Sequence, residues 1–396
     1  MEQERQHKQE QGQRDKRADT PIQVAAYYFP NYHPDERNAK WHGSDWTEWE
    51  LVRAATPRYP GHAQPKVPLW GYEDESDPLV MEKKIDAASS HGIDAFLFDW
   101  YWYEDGPYLQ RALEQGFLQA ANNERLKFAL MWANHDWQDI HPATRSRPYK
   151  TLAPGAVSKE AFLKACGHIV ETYMGHPSYW RVDGKLYFSI YELMSLIAGL
   201  GSIDETKEAL EQFRGMVREA GLGELHLNAV VWGVQLLPGE KQVTNGNELL
   251  SLLGFDSVAS YVWIHHQRLE QFPQTPYADT REKARRTMAE LTEQYNVPYY
   301  PNVTMGWDSS PRTIQSDKFD HLGYPYMPVL GDNTPGQFEQ ALREAKEFLE
   351  ENGGSGTSIC TINAWNEWTE GSYLEPDTVN GMAYLEAVRN VFRPER

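Results

Sequence analysis

One pattern constrains this chain more than any other. Short apolar runs rich in β-forming residues recur along it, each followed by a longer amphipathic stretch. The runs lie at 22–29, 95–100, 127–132, 186–191, 226–232, 257–262, 299–304 and 357–363. Helical patterns follow at 77–91, 108–121, 158–174, 204–220, 246–252, 279–295, 335–351 and 380–391, several stopping at Gly such as Gly92, Gly221 and Gly254. Apolar strands buried on both faces and spaced by helices predict parallel βαβ units. Eight such units predict an α/β (β/α)8 TIM barrel formed as one domain, with a long Pro- and Trp-rich insertion at 30–75 after the first strand. A doubly wound open sheet is the alternative. It is disfavoured because no G-x-G-x-x-G follows the first strand.

Composition narrows the function. A net charge of -19 over 396 residues repels phosphate backbones and anionic lipids, so neither nucleic acid nor a membrane is expected as a partner. No apolar run is long enough to span a bilayer. The two cysteines, Cys166 and Cys360, form no CxxC, so neither a disulfide framework nor a structural zinc is expected. Residues 1–20 carry no apolar core of a signal peptide and read as a polar tail, with 21–396 as the catalytic barrel; a cytoplasmic location is expected. The sequence does not address the oligomeric state.

In a barrel of this kind the chemistry sits at the C-terminal ends of the strands. Aromatic and polar residues collect there: nine of the fourteen Trp lie at or just beyond strands 2, 3, 5, 6, 7 and 8. Aromatic faces mixed with carboxylates and amides suit a sugar ring, whose C–H face stacks while its hydroxyls need paired donors and acceptors. The candidate substrate-binding residues are His33, Trp46, Glu48, Asp99, Trp102, Trp132, Asn134, Asp136, Tyr191, Glu192, Trp232, Tyr261, Trp307, Trp365, Asn366 and Tyr373. Glu367 and Glu370, three apart after strand 8, are the candidate catalytic pair: two carboxylates flanking a glycosidic bond supply an acid and a base. Burial between Trp365 and Trp368 is expected to raise at least one of their pKa values. The cluster Asn134, His135, Asp136, Asp139 and His141 matches no strong metal spacing, so no metal and no cofactor is expected.

The segments AYYFPNYH (26–33), DWTEW (45–49), LMWANHDW (130–137) and INAWNEWTEGSYLEP (362–376), with 95–102, resemble the glycoside hydrolase family 99-like proteins, a group that includes those named WbsX. The resemblance covers most of 22–391 and implies a (β/α)8 barrel and a retaining glycosidase. It implies that Glu367 deprotonates a substrate 2-hydroxyl, which attacks the anomeric carbon, and that Glu370 is the acid/base. It also implies that Tyr28 lies near the reaction centre. The family's enzymes carry His on both sides of the motif Trp, where this chain has Asn366 before Glu367 and Thr369 before Glu370. Mannose specificity is therefore not carried over. A retaining glycoside hydrolase acting on an oligo- or polysaccharide is the leading reading. A WbsX-type glycosyltransferase and a non-catalytic carbohydrate-binding barrel are the alternatives.

Overall fold

Eight parallel strands close on themselves in the computed structural model, which describes residues 22–234, 246–353 and 356–394. The strands are β1 Gln23–Tyr28, β2 Ala95–Tyr103, β3 Lys127–Trp132, β4 Lys185–Ile190, β5 Leu225–Val230, β6 Ser257–Ala259, β7 and β8 Ile359–Asn363. Strand β7 comes in two pieces, Tyr299–Tyr300 and Asn302–Thr304. Each strand pairs with the next in chain order, and β8 pairs with β1, Val24 opposite Cys360. The closure runs through β7. Its first piece pairs with β6 and its second with β8. The break falls at Pro301, which has no N–H to give to a ladder. This ring excludes the open doubly wound sheet.

The helices are α1 Glu36–His42, α2 Trp49–Ala54, α3 Pro78–Ser90, α4 Lys159–Ile169, α5 Leu193–Leu200, α6 Ile203–Glu219, α7 Gly246–Leu253, α8 Tyr277–Gln294, α9 Pro335–Asn352 and α10 Ala383–Phe392. Local chemistry sets their ends. Asp77 caps α3, with Pro78 at the first helical position. Ser202 caps α6, whose buried Thr206, Ala209, Leu210, Phe213 and Val217 recur at helical spacing.

The helix expected at 108–121 does not form. Gly106–Tyr108 folds back antiparallel on β2. Beyond it come only a π turn at Ala112–Gly116 and a 3₁₀ turn at Phe117–Gln119. Gly116 packs so closely on the insertion that a Cβ would lie 2.3 Å from the Glu75 carbonyl oxygen, and Leu109 adopts φ 60°. Helices α1, α2 and α5 are additional to the sequence pattern. The polar tail at 1–20 lies outside the described residues.

Inside the ring sits a layer of small polar side chains. Ser189 Oγ donates to Asn228 Oδ1 (2.8 Å), Asn228 Nδ2 donates to Ser257 Oγ (2.9 Å), and Asn302 Nδ2 donates to Thr361 Oγ1 (3.1 Å). Each satisfies another, which is the condition for burying such groups. The insertion lies across the C-terminal end of the barrel and touches the segment after β8: Leu69 N donates to Pro376 O at 2.8 Å. Among the described residues no helix is long and apolar enough to cross a membrane.

Candidate active site

After β8 the chain makes a tight hairpin. Asn366–Glu367 pairs antiparallel with Ser372–Tyr373, and Trp368–Glu370 is a 3₁₀ turn ended by Gly371 at φ 63°. In a 3₁₀ turn residues three apart eclipse, so Glu367 and Glu370 project to the same side. Both are buried, at 3% and 6% exposure, and both line one cavity at the C-terminal end of the barrel. The cavity holds about 580 Å³ of empty space counted out to its open mouth.

Arg312 ties the pair together. It comes from the short 3₁₀ turn Ser310–Arg312 in the loop after β7. Its guanidinium donates to Glu48 Oε1 (2.9 Å), to Glu367 Oε2 (3.2 Å) and to Glu370 Oε1. Tyr324 donates to Glu370 Oε1 (2.8 Å) and lies 2.5 Å from Arg312 Nη1. Tyr261 donates to Asp99 Oδ2 (2.8 Å), with Glu367 Oε1 at 3.4 Å.

The charges follow from these contacts. Burial raises the Glu367 pKa well above the carboxylate range, and the neighbouring Glu370 raises it further. Burial also raises Glu370, against the pull of Arg312 and the Tyr324 hydrogen bond. Asp99 is likewise pushed well up by burial. Glu48 goes the other way. Burial opposes its charge, but Arg312, His141 and hydrogen bonds from Thr369 and Asn31 hold its pKa below the usual value. Burial lowers His135, and takes His141 down to about 3, so both rings are neutral near pH 7.

The structure brings together Glu367, Glu370, Asp99, Asp136, Tyr191 and Tyr261 on the cavity wall, with Glu48 directly behind Arg312. It sends most of the predicted tryptophans elsewhere. Side chains alternate across a strand, so Asp99 and Tyr101 face the cavity while Trp102, stacked on Trp100, packs on His168 outside the barrel. By the same alternation Met131 lines the cavity and Trp132 packs on Phe162 of α4. Trp307 is buried against Tyr324, and Trp232 sits behind Tyr191. Trp46 lies in the insertion, against His42. Asn134 exchanges hydrogen bonds with the Glu192 backbone, both at 2.7 Å, and holds the ends of β3 and β4 together. Asn366 does the same for β1, pairing with the Phe29 backbone at 2.8 Å in both directions.

Trp365 and Trp368 do not enclose Glu367. Their indole N–H groups donate to the two oxygens of Glu375, at 3.0 and 2.7 Å, and Tyr373 stacks on Trp368. Glu375 also pairs with Lys84 of α3 (2.8 Å). Lys84 donates to Tyr28 (2.9 Å), and Tyr28 to Glu75 (2.7 Å), which lies 3.3 Å from His33 Nδ1. Tyr28 and His33 therefore belong to a buried network behind the hairpin and not to the cavity wall.

Phe29, Tyr101, His135, Trp137, His141, Arg312 and Tyr324 also line the cavity and are not among the candidate residues named from the sequence. Trp137 and His141 stack face to face, with centroids 5.2 Å apart. His141 belongs to the polar cluster at 134–141 and Trp137 falls within that segment, so their chemistry is visible in the sequence but not their direction. Arg312 and Tyr324 sit in a long loop with no motif around them.

Comparison with known proteins fits this picture. Residues 24–388 match the family model described as Glycosyltransferase WbsX, and the chain belongs to that family. Two uncharacterised WxcX proteins, from Xanthomonas campestris pv. campestris strains ATCC 33913 and B100, are each 30% identical over 381 residues. The match takes in 93% of this chain and 49% of each relative, so the chain spans about half their length. Among solved structures, the glycoside hydrolase family 99 endo-α-mannosidase from Bacteroides thetaiotaomicron superposes with a TM-score of 0.56 at 16% identity, over 93% of this chain and 95% of that one. A glycoside hydrolase-like protein gives 0.61 at 16% identity, over 94% of each. These similarities establish the barrel fold and its likeness to family 99.

Proposed function

We propose that this protein is a retaining glycoside hydrolase acting on an oligo- or polysaccharide, with Glu367 as base and Glu370 as acid/base. One observation carries the reading: two carboxyl groups of raised pKa share a buried, tyrosine-lined cavity at the catalytic end of the barrel. Mutual repulsion keeps one proton on such a pair at neutral pH, leaving one acid and one base. Without substrate, Arg312 and Tyr324 favour charge on Glu370 and leave the proton to Glu367. A sugar hydroxyl donating to Glu367 adds to the long contacts from Arg312 (3.2 Å) and Tyr261 (3.4 Å), stabilises its charge and moves the proton to Glu370.

Glu367 then takes the proton of the 2-hydroxyl, whose oxygen attacks the anomeric carbon. The glycosidic C–O bond breaks as Glu370 protonates the leaving oxygen. Water, giving its proton to Glu370, opens the anhydro ring, and Glu367 returns its proton to the 2-oxygen. Tyr101, Tyr191 and Tyr261 offer faces and hydroxyls to the sugar.

The family's description as glycosyltransferases favours a second reading, in which an acceptor hydroxyl replaces water. A nucleotide-sugar donor brings a diphosphate. Among the described residues the one cation on the cavity wall, Arg312, is already opposed by Glu48, Glu367 and Glu370, and the histidines are neutral. That balance suits a neutral sugar passing through a cation-like transition state.

The test is reducing-end release from a glycan panel by the wild type, Glu367→Gln and Glu370→Gln. Both variants should lose turnover while still binding the glycan that the wild type cleaves. Unchanged release by Glu370→Gln would sink the assignment. Nucleotide-sugar binding with transfer to an acceptor would establish the second reading.

A further inference from the structure

A second groove adjoins the catalytic cavity, and Tyr324 is the wall they share. It holds about 1140 Å³ of empty space counted out to solvent and runs between the loop after β6 and the loop carrying residues 321–328. Its chemistry differs from that of the cavity. Its apolar contacts are supplied by Ile264, Leu269 and Met327, and two arginines, Arg147 and Arg268, stand at its edge.

 The apolar lining of the groove is thus Ile264, Leu269 and Met327, a floor for the C–H faces of a sugar.

Neither Arg147 nor Arg268 makes an ion pair among the described residues, although carboxylates outnumber Lys and Arg by 57 to 38 in the chain. Arg147 lies over the Tyr149 ring (4.7 Å to the centroid). Among the described residues the one carboxylate on the groove, Glu270, is already held by Lys283 at 2.9 Å. A second, independent feature points to a ligand. Gln267 is 9% exposed and lines the groove; its Nε2 is committed to the Thr280 carbonyl (3.2 Å), while its Oε1 is buried with no partner. A buried acceptor left open is costly unless something donates to it. A sugar hydroxyl does so.

We propose that this groove is a subsite for an acidic sugar unit, bearing a carboxylate or a phosphate ester, on the same glycan whose neighbouring unit enters the catalytic cavity past Tyr324. The inference rests on the glycosidase reading for the direction of the chain, but its binding test does not. Arg147 and Arg268 take the anion, and Gln267 Oε1 accepts from a ring hydroxyl.

The experiment is affinity electrophoresis of the full chain carrying Glu370→Gln, so that no polymer is consumed. The gels contain polygalacturonate, alginate, hyaluronate or phosphomannan, each run beside its carboxyl-reduced or dephosphorylated form. At least one anionic polymer should retard the protein, and its neutralised form should not; which polymer does so separates carboxylate from phosphate. Adding Arg147→Gln and Arg268→Gln should weaken that binding about tenfold. Arg285→Gln with Arg286→Gln, on the exposed face of α8, should leave it unchanged. The melting temperature checks that each variant folds. Lack of retardation by every anionic polymer, or retardation indifferent to the groove arginines, overturns the proposal. Arginine-dependent binding without any glycan cleavage by the wild type defeats the hydrolase reading and keeps the subsite; cleavage with arginine-independent binding does the reverse.

Discussion

Replacing Arg312 by methionine removes the one guanidinium shared by Glu48, Glu367 and Glu370. The three contacts do not weigh equally. Glu367 and Glu370 have raised pKa values even beside Arg312, so each can answer its loss by holding a proton. Glu48 differs, because Arg312 is the largest influence favouring its charge. The expected loss is therefore that of one broken buried pair, about 3–5 kcal/mol, and not three times that. At roughly 2.1 cal/mol/K of unfolding entropy per residue, 396 residues give ~0.8 kcal/mol/K, so ~4 kcal/mol lowers Tm by about 5 °C. The pH dependence fixes the cause. In the wild type the depressed Glu48 pKa contributes stability above the unfolded value of about 4.3, and this is lost as pH falls through the folded pKa. In the variant Glu48 becomes a buried carboxyl with a raised pKa, whose penalty is absent below about pH 4 and grows as pH rises. The gap between variant and wild type should thus narrow from pH 7.5 to pH 4.5. Thermal and urea unfolding of Arg312→Met and of Arg312→Met with Glu48→Gln would measure it, and the double variant should recover part of the loss. A gap independent of pH, or a double variant no more stable than the single one, refutes the reasoning.

Tyr324→Phe removes a hydrogen bond that favours charge on Glu370, so its pKa should rise. The proton needed by the leaving group then survives to higher pH, and the alkaline limb of kcat/KM should move upward; a limb that stays put or moves down contradicts the assignment. Lys84→Met leaves Glu75 and Glu375 buried without their cation, and should cost about 3–5 kcal/mol in urea unfolding, with a change in tryptophan fluorescence from Trp365 and Trp368. A loss under about 1 kcal/mol would mean that the network is not held by charge.

The barrel was legible because its strands are buried on both faces and read as unbroken apolar runs. That same property hid the direction of the side chains. In β2 both Asp99 and Trp100 are buried, so no polar–apolar alternation says which parity faces the cavity. The sequence therefore points the tryptophans at the sugar, whereas Trp102 and Trp132 pack on His168 and Phe162 of α4 and the cavity presents mainly tyrosines. The Glu367–Glu370 spacing was legible because a three-residue step in a tight turn fixes direction locally. Arg312 was not, since its partners lie 264, 55 and 58 residues away and only the closed barrel brings them together. The missing helix at 108–121 was hidden for a related reason: the segment packs against Glu75 of the insertion, so closely at Gly116 that a Cβ would not fit.

The insertion at 30–75 then has a physical role that its composition did not disclose. Its polar side chains support the hairpin and the loop after β7 from behind. Glu48 accepts from Thr369 and Arg312, next to both carboxylates. Glu75 accepts from Tyr28 (2.7 Å) and from the Tyr32 backbone (2.8 Å), and Tyr32 Oη in turn accepts from Trp368 N (3.1 Å). His62 and Gln64 reach Asp308 at 2.8 and 2.6 Å, and together with Ser310 they hold its pKa down to about 2 against burial. Asp308 N in turn donates to the Glu370 carbonyl. Among these insertion residues, Tyr32, Glu48, His62, Gln64 and Glu75, none lines the cavity. A change in the insertion should therefore alter the spacing and protonation of the carboxylates without touching a sugar, because buried hydrogen bonds to charged groups set geometry and pKa together.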